Sequence, residues 1–238
     1  MKLLFVLTFW TATNCVFSQT ESHIIYFDKK RDIVDESKHS RKRIISVSDS
    51  LIIIKEFYKT GKIYMTGTVP KTDSNLKTLQ TSAIQLYDSG LEYGVSEWYN
   101  IKGNIFKREI HDPFNSPHSY YKNVNGSIVS INDSLKKDAV YVFNFRKNGI
   151  IKDEGLFVLD DLWHGKWIHY SRKGKLFCLR YYKFGEKDGL ETYYYSEEGT
   201  RMESTEFKNG QKHGTKLIFD VHDNVKKIKE YRNNERIK

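Results

Sequence analysis

Cysteine is nearly missing: the 238-residue sequence has 2, at Cys15 and Cys178. That excludes a disulfide scaffold, so the fold must hold by packing and hydrogen bonding. Proline numbers 3, too few for a low-complexity or proline-rich linker chain. No apolar run beyond the N-terminus approaches the 18 or so residues of a membrane-spanning helix. The 8 histidines include no His-Glu-x-x-His pair and no Cys/His cluster, so no metal and no other cofactor is expected. Gly-x-Ser-x-Gly, Walker-type Gly-Lys-Ser/Thr and Gly-x-Gly-x-x-Gly are missing as well. The acid pairs Asp160-Asp161 and Glu197-Glu198 are adjacent, so they point to opposite sides of a strand or lie in a turn, unlike a facing acid–base couple. The sequence therefore predicts no catalytic residue and no enzyme.

What the chain has is aromatic surface and positive charge. It carries 16 Tyr, 14 Phe and 4 Trp, and 39 bases against 30 acids, a formal net charge of +9. Such aromatic richness predicts strands. Lys2, the apolar stretch Leu3 to Trp10 and the small-residue site Val16-Phe17-Ser18 before Gln19 form a signal-peptide pattern over residues 1–18. The expected location is thus exported: periplasm, cell envelope or outside the cell. Asn14 before Cys15 departs from the small residue that a lipoprotein site requires. Removal of the signal leaves Cys178, which reads as a small core residue.

The same short phrase recurs from Trp163 to Tyr231, and Gly149, Gly174, Gly199 and Asn224 follow one another at intervals of 25 residues. A fixed period of this size marks a repeat architecture whose units bury apolar surface by stacking on neighbours. Degenerate copies surround Gly61 and Gly103. The expected organisation is a signal at 1–18, a lead-in at 19–50, degenerate repeats with insertions at 51–135, and regular repeats at 136–238. Lys71 to Leu79 and His111 to Gly126 read as the insertions. Asp73 to Leu86 is the one stretch open to a helix. Within the lead-in, His23 to Phe27 reads as a strand, and the charged run Lys29 to Arg43 as a solvated loop or an attractor of anionic surfaces.

Around each marked position the local chemistry predicts a hairpin. Tyr141, Phe143 and Phe145 alternate onto one face. Asn148-Gly149 then accepts the positive φ of a tight turn, and Ile151 to Phe157 returns. Gly61, Gly103, Gly149, Gly174 and Gly199 are the predicted turn residues, with Asn224 as the sixth. The fold class expected is all-β: an elongated antiparallel sheet of consecutive hairpins. Tyr170, Tyr195 and Phe219 recur at one offset, and Ile168, Tyr193 and Leu217 at another. Trp167, His169, Tyr170, Tyr193, Tyr194 and Tyr195 are the candidate binding surface, because aromatics on a half-wet sheet stack on sugars or on a partner's side chains as readily as on each other.

Gly189-x-x-x-Tyr193-Tyr194, the Gly174-Lys175 that follows an aromatic strand, and the connector Phe184-Gly185-Glu186-Lys187-Asp188-Gly189-Leu190 resemble MORN-repeat proteins. The likeness is to the bacterial MORN-variant repeats of exported and antitoxin-like proteins. It is strongest from Val142 to Tyr231, weaker from Leu51 to Ile110, and does not reach residues 19–50. It implies a sheet of consecutive hairpins and roles in attachment, scaffolding or membrane association, with no catalytic residues to transfer. The expected partner is a protein, with an anionic membrane or polysaccharide as the first alternative and a toxin to be neutralised as the second. Basic residues interleaved with aromatics also suit nucleic acid, but export argues against that partner.

Overall fold

The computed structural model describes residues 22–81, 94–111, 139–159 and 162–238. They form one 16-stranded antiparallel sheet, with sequential strands side by side and no closure into a barrel. β1 (Ser22–Phe27) and β2 (Arg41–Val47) make a first hairpin. β3 (Leu51–Tyr58) and β4 (Ile63–Pro70) follow, then β5 (Gly94–Tyr99) and β6 (Ile105–His111). β7 (Val140–Phe145) pairs with β8 (Ile151–Val158), and β9 (Leu162–Tyr170) with β10 (Leu176–Lys183). The short β11 (Glu186–Lys187) leads into β12 (Gly189–Tyr194), β13 (Arg201–Lys208), β14 (Gln211–Phe219), β15 (Val225–Arg232) and the short β16 (Glu235–Arg236). The six hairpins anticipated from the repeat are present, and the lead-in adds a seventh in front of them. Arg41 to Arg43, assigned to a charged loop by composition, lie in β2.

The repeat phrase has a geometric meaning. The last cross-strand pair before each turn is Phe57↔Ile63, Tyr99↔Ile105, Phe145↔Ile151, Tyr170↔Leu176, Tyr194↔Arg201 or Phe219↔Val225. A β-bulge sits beside every one of them, and its extra residue is Tyr64, Phe106, Lys152, Phe177, Met202 or Lys226 in turn. An aromatic opposite an aliphatic residue is a favourable cross-strand pair, and a bulge increases local twist and re-aims the neighbouring side chains. Gly61, Gly103, Gly149, Gly174 and Gly199 have φ between +75° and +87°.

The sixth turn and the aromatic ladder depart from the sequence expectation. Asp223, at φ +68°, takes the left-handed position assigned to Asn224. Asp223 N–H donates to Asp220 O just as Gly174 N–H donates to Ser171 O. The fifth turn is one residue longer than the others, running from Tyr195 N–H to Thr200 O, which slips the phase of everything beside it. Tyr194, not Tyr195, is therefore the counterpart of Tyr170. Thr192, not Tyr193, shares a row with Ile168 and Leu217 through Leu179 and Ser204.

Neighbouring repeats lock at both edges of the sheet. On the turn edge, Tyr58 Oη, Arg146 Nη2 and Tyr195 Oη donate to the carbonyls of Tyr99, Tyr170 and Phe219 at 2.9, 2.7 and 3.2 Å. On the connector edge, Gly185, Gly210 and Asn234 N–H groups donate to Trp163, Lys187 and Lys212 carbonyls. Phe184-Gly185, Asn209-Gly210 and Asn233-Asn234 all have positive φ at both residues, the geometry of a tight two-residue hairpin turn.

Apolar clusters occupy opposite faces. On the first face, Ile45, Ile52, Ile54, Met65 and Val69 pack under Leu76 and Leu79 of helix α1 (Asp73–Thr81). The helix arises in the first insertion: Thr72 Oγ1 accepts from Asn75 N–H at 3.1 Å as the N-cap, and Leu76 and Leu79 recur at helical spacing. On the second face, Ile110, Tyr141, Phe143, Leu156 and Val158 cluster, with Phe145 against them. Of the second insertion, His111 ends β6, and residues 112–126 lie outside the described segments.

The turn glycines carry a graded prediction. Valine at either Gly174 or Gly199 puts a branched side chain at positive φ, a cost of about 1–3 kcal/mol. The Gly174 variant should lie higher in that range, because its Cβ would sit 3.3 Å from Ile150 Cγ2, whereas nothing stands within 4 Å at Gly199. Urea melts of the two variants would check both the size and the order.

Candidate functional site

Directly opposed residues of an antiparallel sheet project to the same face, so the registers trace rows of side chains. One row runs through Ile25, Arg43, Glu56, Met65, Trp98, Lys107 and Asn144. It continues through Asp153, His169, Cys178, Tyr193, Glu203, Ile218 and Lys227. It lies on the face that α1 covers farther back; Arg43 pairs with Glu56 and Asn144 with Asp153 within the row, while Lys107 and Glu203 reach Glu109 and Lys216 beside it.

Where the row crosses β8–β10 the face opens into a recess of about 190 Å³, lined by Arg146, Lys152, Asp153, His169, Tyr170, Phe177, Cys178 and Arg180. The bulges beside the Gly149 and Gly174 turns place Lys152 and Phe177 on its rim. Asp153 accepts from Asn144 Nδ2 at 2.7 Å, and Lys152 Nζ lies 3.2 Å from its other oxygen. Arg180 pairs through Nε with Glu191 and donates from Nη2 to Tyr193 Oη at 2.6 Å, while Lys187 Nζ reaches the same Glu191 at 2.8 Å. The nearby carboxylates are thus matched. Two buried nitrogens in the lining, Arg146 Nε and His169 Nε2, have no hydrogen-bond partner among the described residues.

Burial, and then the charge of Arg180, lower the His169 pKa, so the ring is neutral near neutral pH. Burial pushes the Cys178 thiol up to about 11, which keeps it protonated and a poor nucleophile. Phe157, Trp163, Trp167 and Tyr182 flank the recess as an aromatic cluster. The Trp163 and Trp167 rings stack at 4.1 Å with an 11° interplanar angle, and Tyr182 meets Trp163 edge-on at 4.8 Å.

The six aromatic candidates do not form one surface. Trp167 is 0% exposed, its Nε1 donating to Leu156 O at 3.1 Å, so it belongs to packing. His169 and Tyr193 share its face at the recess. Tyr170 and Tyr194 project to the other face, where the Tyr170 hydroxyl donates to buried Glu154 beside Tyr141 Oη, and Tyr195 sits on the turn edge. Three consecutive tyrosines cannot share a face of a strand. The residues not anticipated are Arg146, Lys152, Asp153, Phe177 and Arg180. Their signal was positional: Lys152 and Phe177 fall three residues after a turn glycine, and Asp153 and Cys178 four after.

Acid should test this face through its histidines. Burial, then Lys107, lowers His111 to about 4. Glu109 Oε2, 3.6 Å from His111 Nε2, is too far for a hydrogen bond and does not offset the burial. His164 and His169 are also lowered, burial coming first for each. A depressed histidine favours folding fully above the unfolded-state value near 6.5, and that contribution is lost as pH falls towards the folded value. Thermal stability should therefore decline from about pH 6.5 to 4, and His111→Gln should flatten the slope. A parallel slope in the variant would contradict this origin.

Among the described residues no group of three His, Cys, Asp or Glu is placed to hold a metal ion, and no helix is long and apolar enough to cross a membrane. Comparison of the chain with protein-family models and with curated proteins finds no match.

Proposed function

We propose that this chain is an exported, non-catalytic repeat scaffold of the MORN-like kind that binds a protein partner on the first face of its sheet. The observation that carries the reading is the stretch of the side-chain row from Trp98 to Lys227, beyond Arg43, Glu56 and Met65, which are buried. Strands spaced about 4.8 Å apart present such a row as a long, regular contact surface. Alternating basic, acidic and aromatic groups suit a partner's polar rim and aromatic anchors. The carboxylates around the recess are held by neighbours, Asp153 by Asn144 and Lys152 and Glu191 by Arg180 and Lys187, which supports a recognition surface.

The test is a photo-crosslinking residue at Phe177, on the first face, and at Tyr194, on the second, in the full chain expressed in its native envelope. A discrete protein adduct from Phe177 and none from Tyr194 is expected; equal labelling from both, or none, would overturn the assignment. Fusion of residues 1–18 to a reporter checks export independently. A reporter retained in the cytosol would favour the toxin-neutralising alternative.

A second reading rests on the far end of the same face. Lys216 stands directly opposite Lys229, and Lys227 opposite Ile218. Among the described residues Glu203 neutralises Lys216, and no acid is paired with Lys227 or Lys229. Like charges in opposition weaken a sheet, and here they suit an anionic membrane or polysaccharide. That reading requires retention on anionic vesicles or glycans that falls steeply with salt.

A further inference from the structure

We propose that the recess between β8, β9 and β10 receives a carboxylate side chain from an acidic segment of the protein partner. This rests on the scaffold reading and names the chemistry of what is bound. The lining contributes three permanent cations, Arg146, Lys152 and Arg180, against one acid, Asp153. That acid is already matched by Asn144 Nδ2 and Lys152. Arg180 is committed to Glu191 and Tyr193. The surplus therefore falls on Arg146, whose Nη2 is anchored on Tyr170 O at 2.7 Å while the neighbouring Nε–H has no acceptor among the described residues.

An anchored guanidinium is a pre-organised donor, since the ordering of its side chain has been met in folding. A buried donor left unpaired is a standing cost that an incoming acceptor removes. His169 Nε2, the second buried nitrogen without a partner, offers a neutral donor in its Nε2–H tautomer. Phe177, 39% exposed and edge-on to Tyr193 at 5.6 Å, gives the rim an apolar surface for the methylene groups of a Glu side chain. A neutral amide of the same shape would accept without charge and present an NH₂ to donors, so the site distinguishes Glu from Gln.

The experiment is a titration of the full-length mature chain, ¹⁵N-labelled and observed through arginine Nε–H and backbone amide resonances. The probes are N-acetyl-glutamate amide, N-acetyl-glutamine amide and inorganic phosphate. Saturable movement of the Arg146 Nε–H signal with the glutamate probe, and none with the glutamine probe, is expected. Arg146→Gln should weaken the response of the surrounding amides by roughly tenfold or more, whereas Lys208→Gln, on an exposed strand end, should not. Lys152→Gln keeps the Tyr170 anchor intact and should weaken binding by a smaller factor, so the inference stays testable if Arg146→Gln perturbs the turn. Equal responses to the two amino-acid probes, or full affinity in both Arg146→Gln and Lys152→Gln, would overturn the proposal. Tighter binding of phosphate than of glutamate would overturn the peptide source in favour of a free anion. No glutamate response while crosslinking from Phe177 still captures a protein would remove this inference and leave the scaffold reading standing.

Discussion

Glu56→Leu is expected to destabilise the N-terminal half of the sheet by about 3–5 kcal/mol. Arg43 and Glu56 face each other across β2 and β3 at 3.0 Å with 0% and 2% of their side chains exposed. The Arg43 guanidinium also lies 5.0 Å from the Phe27 ring centre. Arg41, at 29% exposure, shares Glu56 at 3.3 Å but can turn to water when the carboxylate is lost. Arg43 cannot, because Ile45, Met65 and Phe27 surround this part of the face. A charge left in that position keeps its desolvation cost and loses the Glu56 carboxylate. Arg43→Met combined with Glu56→Leu removes both charges and should recover most of the loss, since a well-packed apolar pair is often as stable as a buried ion pair. Urea denaturation followed by circular dichroism would measure the three variants. Equal stability of the single and double variants would show that desolvation of Arg43 is not the controlling cost.

That pair also shows what can be read from a sequence of this kind. Turn chemistry is local, so five glycines and Asn224, with an aromatic before each and an aliphatic residue after all but Gly199, located six hairpins. Cross-strand register is not local. Arg43 lies 13 residues from Glu56, and their partnership depends on a hairpin whose turn carries no glycine. The alternation Arg41, Arg43, Ile45, Val47 places arginine in an apolar column, and that was the available signal against a solvated loop. A one-residue difference in turn length is equally hard to see. Gly199 keeps the 25-residue period while the chain before it has slipped by one, so Tyr193 changes faces and Tyr195 leaves the ladder for the edge. The recess combines side chains from three strands and two bulges, and no single stretch of sequence contains it.

Gly155→Ala should cost about 3 kcal/mol or more, at the upper end for overpacking, although alanine adds one methyl group and the backbone there is an ordinary strand. In the middle of β8 this glycine lies directly against the Trp167 indole, and a Cβ would overlap the ring at Cδ2, Cε2 and Cγ. Ring displacement is opposed from every side. Trp163 stacks on Trp167, Phe157 meets it edge-on at 5.1 Å, and its Nε1–H is held by Leu156 O. Interiors packed to this density transmit a small excess of volume instead of absorbing it. Trp167→Leu alone leaves a cavity and costs several kcal/mol, by analogy with large-to-small aromatic changes of about 3–5 kcal/mol. In the Gly155→Ala background the smaller side chain makes room for the new methyl, so the double variant should be more stable than the sum of the two single losses predicts, by a coupling of about 1–3 kcal/mol. Additive losses would mean that the ring and the glycine are not in mutual contact. The same cycle reports on the recess, because Trp163 adjoins His169 at 6.3 Å. If the aromatic cluster positions the recess floor, Gly155→Ala should also shift the His169 ring resonances, while Gly199→Val, far along the turn edge, should leave them in place.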